Sequence, residues 1–254
     1  MLDAIFDAYV GAFAIGLPAF AVILLTLGVI RARLSFRPAL TLLLGAAAGM
    51  GLWYAGAVAA GQAGLLMPPP TVADPPYVLM FLLGGAAVMW AWMWLLPAGR
   101  QATQALPLHA IAGYQIPRVM GVLFLIGWLA GEIPWQFAIP AGIGDIWAGI
   151  AGYQAYTALK AGAPDARRKL VRANIIGITD FVVAVVTGLI TSEGFLHLLA
   201  HDAPNTINMY PLVMFPAFFV PIFLAFHLLS ISRLRQLRHT GEETGGPDNL
   251  QALS

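Results

Sequence analysis

Seven apolar runs, near residues 5–30, 38–62, 77–97, 117–133, 138–159, 171–191 and 209–231, dominate the sequence. A helix needs about 20 residues to cross the hydrocarbon core of a bilayer, and every run approaches or exceeds that length. Hydrophobic residues make up 59% of the chain and charged ones 10%, against roughly 45–50% and about 25% in soluble domains. A water-soluble fold of this size has too little interior to hide so much apolar surface. The expected fold is therefore an all-α integral membrane protein, with a single seven-helix transmembrane domain over residues 1–240. The tail at 241–254, GEETGGPDNLQALS, lacks the apolar content to pack and is expected to be disordered.

The fourth and fifth runs form one long apolar stretch. Glu132-Ile133-Pro134 divides it, because a carboxylate and a proline end a helix at an interface. No basic residue precedes the first run, so it reads as a retained helix rather than a signal peptide. All 13 Lys and Arg residues fall in alternate connections: Arg31, Arg33 and Arg37; Arg100 and Arg118; Lys160 to Arg172; Arg233 to Arg238. The positive-inside rule then places the N-terminus outside and the C-terminus in the cytoplasm, and the Ala/Gly-rich, Lys-poor composition suits a bacterial cytoplasmic (inner) membrane. Trp90, Trp92 and Trp94 at one end of the third span, and Trp135 at the other side, suit interfacial anchors. Residues 67–76, MPPPTVADPP, form a stiff outer turn. Residues 99–116 read as a cytoplasmic loop on the membrane surface. Pro216 and Pro221 should kink the seventh span.

Some function classes are excluded. Net charge is +1, which gives no electrostatic footing for nucleic acid. Without cysteine there is no disulfide, thiolate metal site or cysteine nucleophile. No phosphate loop, nucleophile elbow or dinucleotide fingerprint appears.

Two aspartates stand inside spans, in GIGDIWAGIAGY (142–153) and GITDFVVAVVTG (177–188). Asp145 lies about 12 Å below the outer start of span five, and Asp180 about 14 Å above the inner start of span six, at 1.5 Å per residue. Both are near the midplane, on neighbouring helices. Small residues share their faces: Ala141, Ala148, Gly149 and Gly152 with Asp145, and Ala173, Gly177, Ala184 and Thr187 with Asp180. Such stripes let helices approach closely in lipid. An ionisable group there costs about 2.5–3.5 kcal/mol on insertion scales, which makes it a functional candidate. The pair is expected to share a proton or accept a cation, with Glu132 near the outer mouth. The plainer reading is a helix clasp, Asp180 bonding Asn174 or Thr187.

A second constellation is Glu193, His197 and His201. At four-residue steps, a helix would align all three as ligands for Zn or Fe. An amphipathic interfacial helix explains the same spacing without metal. His227, alone in span seven, is expected to hydrogen-bond a neighbour. GAAAGMG at 45–51 offers a small-residue face for contact within or between subunits of a homo-oligomer. The leading expectation is proton- or cation-coupled transport of a small solute between spans five and six. The alternatives are a membrane-embedded metal-dependent enzyme or redox protein, and a non-catalytic assembly or sensory subunit.

Overall fold

The computed structural model describes residues 2–240. The expected tail at 241–254 lies outside the described residues. The chain forms α1 (Leu2–Arg31), α2 (Phe36–Gln62), α3 (Tyr77–Trp94), α4 (Pro97–Ala105), α5 (Leu108–Gly113), α6 (Val122–Leu129), α7 (Trp135–Lys160), α8 (Ala166–Thr191) and α9 (Val220–Thr240), with no strand among the described residues. Among the described residues, six segments are long and apolar enough to cross a membrane: Ile5–Arg31, Phe36–Gln62, Tyr77–Trp94, Leu108–Leu129, Ala166–Thr191 and Phe215–His239. Large apolar side chains such as Ile15, Ile23, Leu44, Leu52 and Leu83 stand exposed on the outside of the bundle. A membrane protein needs such a surface.

The fifth expected span corresponds to α7. It has 26 residues, yet it is not among those apolar enough by composition, because glycine and alanine fill its packed face. Asp145 lowers its hydropathy further. Ala138, Ala141, Gly142, Ala148, Gly149, Ala151, Gly152 and Ala155 are buried, while Ile143, Trp147, Ile150 and Tyr153 project outward at helical spacing.

The fourth span differs from expectation. It runs over residues 108–129 and is broken in the middle by a 3₁₀ turn, Ile116–Gly121. Pro117 stands at the start of the turn, where its missing N–H and its clash with the preceding residue interrupt an α-helix. The end of the expected surface loop at 99–116 is in fact core: Leu108, Ile111 and Tyr114 are buried, and Tyr114 stacks on Phe226 with ring centroids 3.7 Å apart. The earlier part, α4, packs against α1 and α3, with Thr103 Oγ1 donating to Met93 O at 3.1 Å. The broken segment lies along the small-residue face of α7, where a β-carbon on Gly149 would come 3.0 Å from Ile116 O and one on Gly152 2.7 Å from Cβ of Gln115. The expected stripe on α7 thus receives the 3₁₀ turn, while α8 packs more extensively on the same helix from another side.

The chain divides around Glu132-Ile133-Pro134, with α6 ending at Leu129 and α7 starting after Pro134. The prolines of the last span act as expected from their chemistry. A π-helical turn, Phe215–Phe219, contains Pro216. Pro221 has no N–H to give the carbonyl four residues back, that of Ala217, and Trp53 Nε1 donates to it instead at 3.0 Å.

Arg31 closes α1, Lys160 closes α7, Arg167, Arg168 and Lys169 open α8, and Arg238 closes α9. Antiparallel succession of the helices brings these residues to one end of the bundle, called the basic end below. Residues 67–76 and 192–209 lie at the other end.

Candidate functional site

The centre of the bundle is organised by Arg118, a residue that the sequence assigned to a loop. It sits in the 3₁₀ turn and its side chain is 0% exposed. The turn aims it between α7 and α8. Nε donates to Asp145 Oδ1 at 2.8 Å and Nη2 to Asp180 Oδ2. Nη1 donates to the Gly177 carbonyl at 3.1 Å and meets His227 Nε2 at 3.2 Å. The Phe181 ring covers the guanidinium, 3.7 Å from its carbon to the ring centroid. A guanidinium has five N–H donors in a planar fork, and four are engaged here.

The two aspartates of the sequence analysis therefore do come together, at nearly the depth expected. Asp145 stands ten residues into α7, about 15 Å, and Asp180 eleven residues from the end of α8, about 16 Å. Their contact runs through a cation that the sequence reading had placed elsewhere. The clasp partners proposed for Asp180 are otherwise occupied. Thr187 Oγ1 donates to Val183 O at 2.8 Å, and Asn174 serves His227.

His227 has the neighbours it was expected to have. Its Nδ1 lies 2.9 Å from Asn174 Oδ1, and Asn174 Nδ2 donates to Ser230 Oγ at 2.8 Å. Arginine can only donate, so His227 Nε2 accepts from Arg118 and Nδ1 carries a proton for Asn174. A polar chain, Asp180–Arg118–His227–Asn174–Ser230, thus joins the 108–129 segment, α8 and α9.

Three glycines make room for this cluster. A β-carbon on Gly121 would collide with Asp145, one on Gly144 with Asp180, and one on Gly177 with His227. The carboxylates also form part of the wall of a cavity of about 70 Å³. The wall continues toward the end opposite the basic end through Gly188 of α8, Asn208 and Pro68. Phe124, Phe137, Phe181 and Phe215 supply aromatic faces, whereas Arg118 does not line it. Asp180 Oδ1 is buried without a hydrogen-bond partner. At the basic end a groove of about 430 Å³ lies between α8 and α9, and Asn174 lines it beside Arg167, Arg235 and Arg238.

Glu132 is elsewhere. It stands in the turn before α7, where its carbonyl accepts from Thr206 Oγ1 at 3.0 Å, and it does not line the carboxylate cavity. Glu193, His197 and His201 also depart from expectation. Residues 192–205 are irregular rather than helical, so neither the metal-ligand face nor the amphipathic helix forms. The backbone instead bonds to its surroundings, Phe195 N to Pro69 O and both Leu198 N and Leu199 N to Ile190 O. The two imidazoles remain close, with centroids 4.3 Å apart, but among the described residues no three His, Asp or Glu side chains are grouped to hold a metal ion.

A signal for Arg118 was present in the sequence. From Leu106 to Ala130 it is the lone charged residue in an apolar stretch, LPLHAIAGYQIPRVMGVLFLIGWLA, long enough to span. Reading Pro117-Arg118 as a loop end shortened that span to the bare minimum.

No curated protein and no solved structure matches the chain. A family profile does, over residues 75–235, a stretch that runs from the start of α3 into α9 and includes Arg118, Asp145, Asp180 and His227 while leaving out α1 and α2. The chain belongs to this family, described as a domain of unknown function, DUF8737.

Proposed function

We propose that this protein spans a bacterial cytoplasmic membrane seven times, N-terminus outside and C-terminus inside, and moves a small solute in exchange with, or together with, a proton or cation at the Asp145–Arg118–Asp180 cluster. The span that composition alone does not mark is α7, the fifth in chain order. Its 26 residues reach about 39 Å, more than a hydrocarbon core of about 30 Å requires. Its outward stripe of Ile143, Trp147, Ile150 and Tyr153 suits lipid. The basic end then faces the cytoplasm.

One observation carries the functional reading. Two carboxylates share one guanidinium at the wall of a cavity in mid-bundle, so with both ionised the cluster holds one negative charge in excess. In a low-dielectric interior that charge draws a proton or another cation. Cavities toward opposite ends meet one hydrogen-bonded chain at different points, the outer at Asp180 and the inner at Asn174. Access to one charge from alternate sides is what coupled transport needs. A static clasp has no use for a cavity at its carboxylates.

Purified protein reconstituted on a supported membrane, given an outside pH step, should produce a transient charge displacement. The Asp145→Asn/Asp180→Asn double variant, which keeps shape and loses titration, should not. Absence of the transient in wild-type protein, or its survival in the double variant, overturns the reading.

A further inference from the structure

The geometry points to a small alkylammonium ion, a protonated amine with an apolar body and at least one N–H, as the solute held in the cavity that α3, α6, α7, α8 and the start of the last span enclose around Asp145 and Asp180. This inference rests on the transport reading of the same site and specifies its substrate class. The cavity walls discriminate among the alternatives by their chemistry. An anion would meet Asp145 and Asp180, while Arg118 is wholly buried, has four donors committed and does not line the space. A sugar or other polyol needs many hydrogen-bonding partners, and Asp145, Asp180 and Asn208 are the polar side chains offered. A bare sodium ion would exchange its water shell for about six oxygen ligands, and phenyl rings supply none.

An alkylammonium ion meets each wall with a matching group. Asp145 and Asp180 both line the cavity, and their carboxylates supply the acceptors that an N–H requires. The excess negative charge of the cluster matches a single positive one. Phe137, Phe124 and Phe215 form a continuous aromatic wall, with centroids 5.4 Å and 4.7 Å apart in turn, suited to N-methyl groups bearing the cation's charge. A volume of about 70 Å³ is roughly half that of a cavity that accepts benzene, about 150 Å³, which fixes the size at a few heavy atoms. Proton and amine compete for one carboxylate, so the cation binds more weakly as pH falls. The charged and titratable groups that bear on Asp180 are Asp145 from α7, Arg118 from the 3₁₀ turn and, through Arg118, His227 from α9.

The test is the thermal stability of full-length protein in detergent with dimethylammonium chloride, against sodium chloride at equal ionic strength and against ethanol as a neutral molecule of similar size. A ligand of the folded state raises the unfolding temperature with concentration. Dimethylammonium should raise it by several degrees at saturating concentration, less at pH 5 than at pH 8, and the controls should not. Asp180→Asn should abolish the shift. Phe137→Leu, which leaves every polar contact in place, should raise the concentration required about tenfold and covers the case in which Asp180→Asn does not fold. Equal shifts with sodium would make the site one for inorganic cations, and no shift at pH 8 would eliminate the alkylammonium class. Both results overturn the inference and leave the charge-displacement measurement to judge the transport reading separately.

Discussion

Gly144 of α7 and Asp180 of α8 touch so closely that a β-carbon at 144 would overlap the carboxylate oxygen Oδ1. Neither backbone can yield readily, since this is the most extensively packed helix pair in the bundle. Gly144→Ala should therefore displace Asp180 from Arg118 and lower stability by about 1–3 kcal/mol, the usual range for overpacking. Gly49→Ala, where a β-carbon meets nothing within 4 Å, should stay within about 0.5 kcal/mol. Denaturant titration of both variants in detergent checks the contrast.

Arg118 should tolerate no substitute. Lysine is a point donor on a flexible stem and cannot serve Asp145, Asp180, Gly177 and His227 from one plane. Arg118→Gln should cost about 3–5 kcal/mol, because it strands buried carboxylates. Adding Asp145→Asn and Asp180→Asn to Arg118→Gln should restore part of that loss, since the triple variant buries amides rather than unpaired charges. Additive losses across the series, measured by unfolding, would contradict the network.

His227 separates shape from polarity. Glutamine has a donor and an acceptor and can in principle serve Asn174 and Arg118 together, so His227→Gln should cost about 1 kcal/mol. His227→Phe fills the space but leaves an Arg118 donor and the Asn174 carbonyl oxygen without their partner, and it should cost about 1–3 kcal/mol for each stranded group. Equal losses for the two variants would show that the ring's packing, not its hydrogen bonds, matters.

The chain contains no cysteine, so single cysteines can be introduced as reporters without first removing any. Val72→Cys, in the exposed turn between α2 and α3, should react with a membrane-impermeant maleimide on intact spheroplasts. Arg168→Cys, at the basic end, should react only after permeabilisation. The reverse pattern would invert the proposed threading.

Sequence and structure part company in instructive places. The membrane class was legible because apolar composition is a bulk property that tertiary context barely alters. The two aspartates were legible because depth follows from counting residues along a regular helix. Their common partner was not, because the turn that delivers Arg118 exists only where a broken helix lies against the glycines of α7. In a one-dimensional reading, a proline followed by an arginine looks like a boundary. The helix expected over Glu193, His197 and His201 failed for a related reason. Four-residue spacing is necessary for a helical face but does not make a helix, and at residues 192–205 the backbone finds its hydrogen bonds in Pro69 and Ile190 instead.

The burial of Arg118 bears on how the chain enters the membrane during synthesis. The segment 108–129 emerges from the ribosome with its arginine at mid-depth before Asp145 and Asp180 have been made. Taken alone, it is charged about 2.5–3.5 kcal/mol for that residue, and the two helices that follow carry comparable penalties for their aspartates. α7 is burdened twice, being also too rich in glycine and alanine to be drawn into lipid by its own composition. Each segment is thus a poor candidate for release into the bilayer by itself, and each holds the group that neutralises the others' cost. On the proposed seven-span threading, the three segments within residues 108–191 would gain from entering the bilayer together, as a preassembled unit whose ion pairs close before lipid surrounds them.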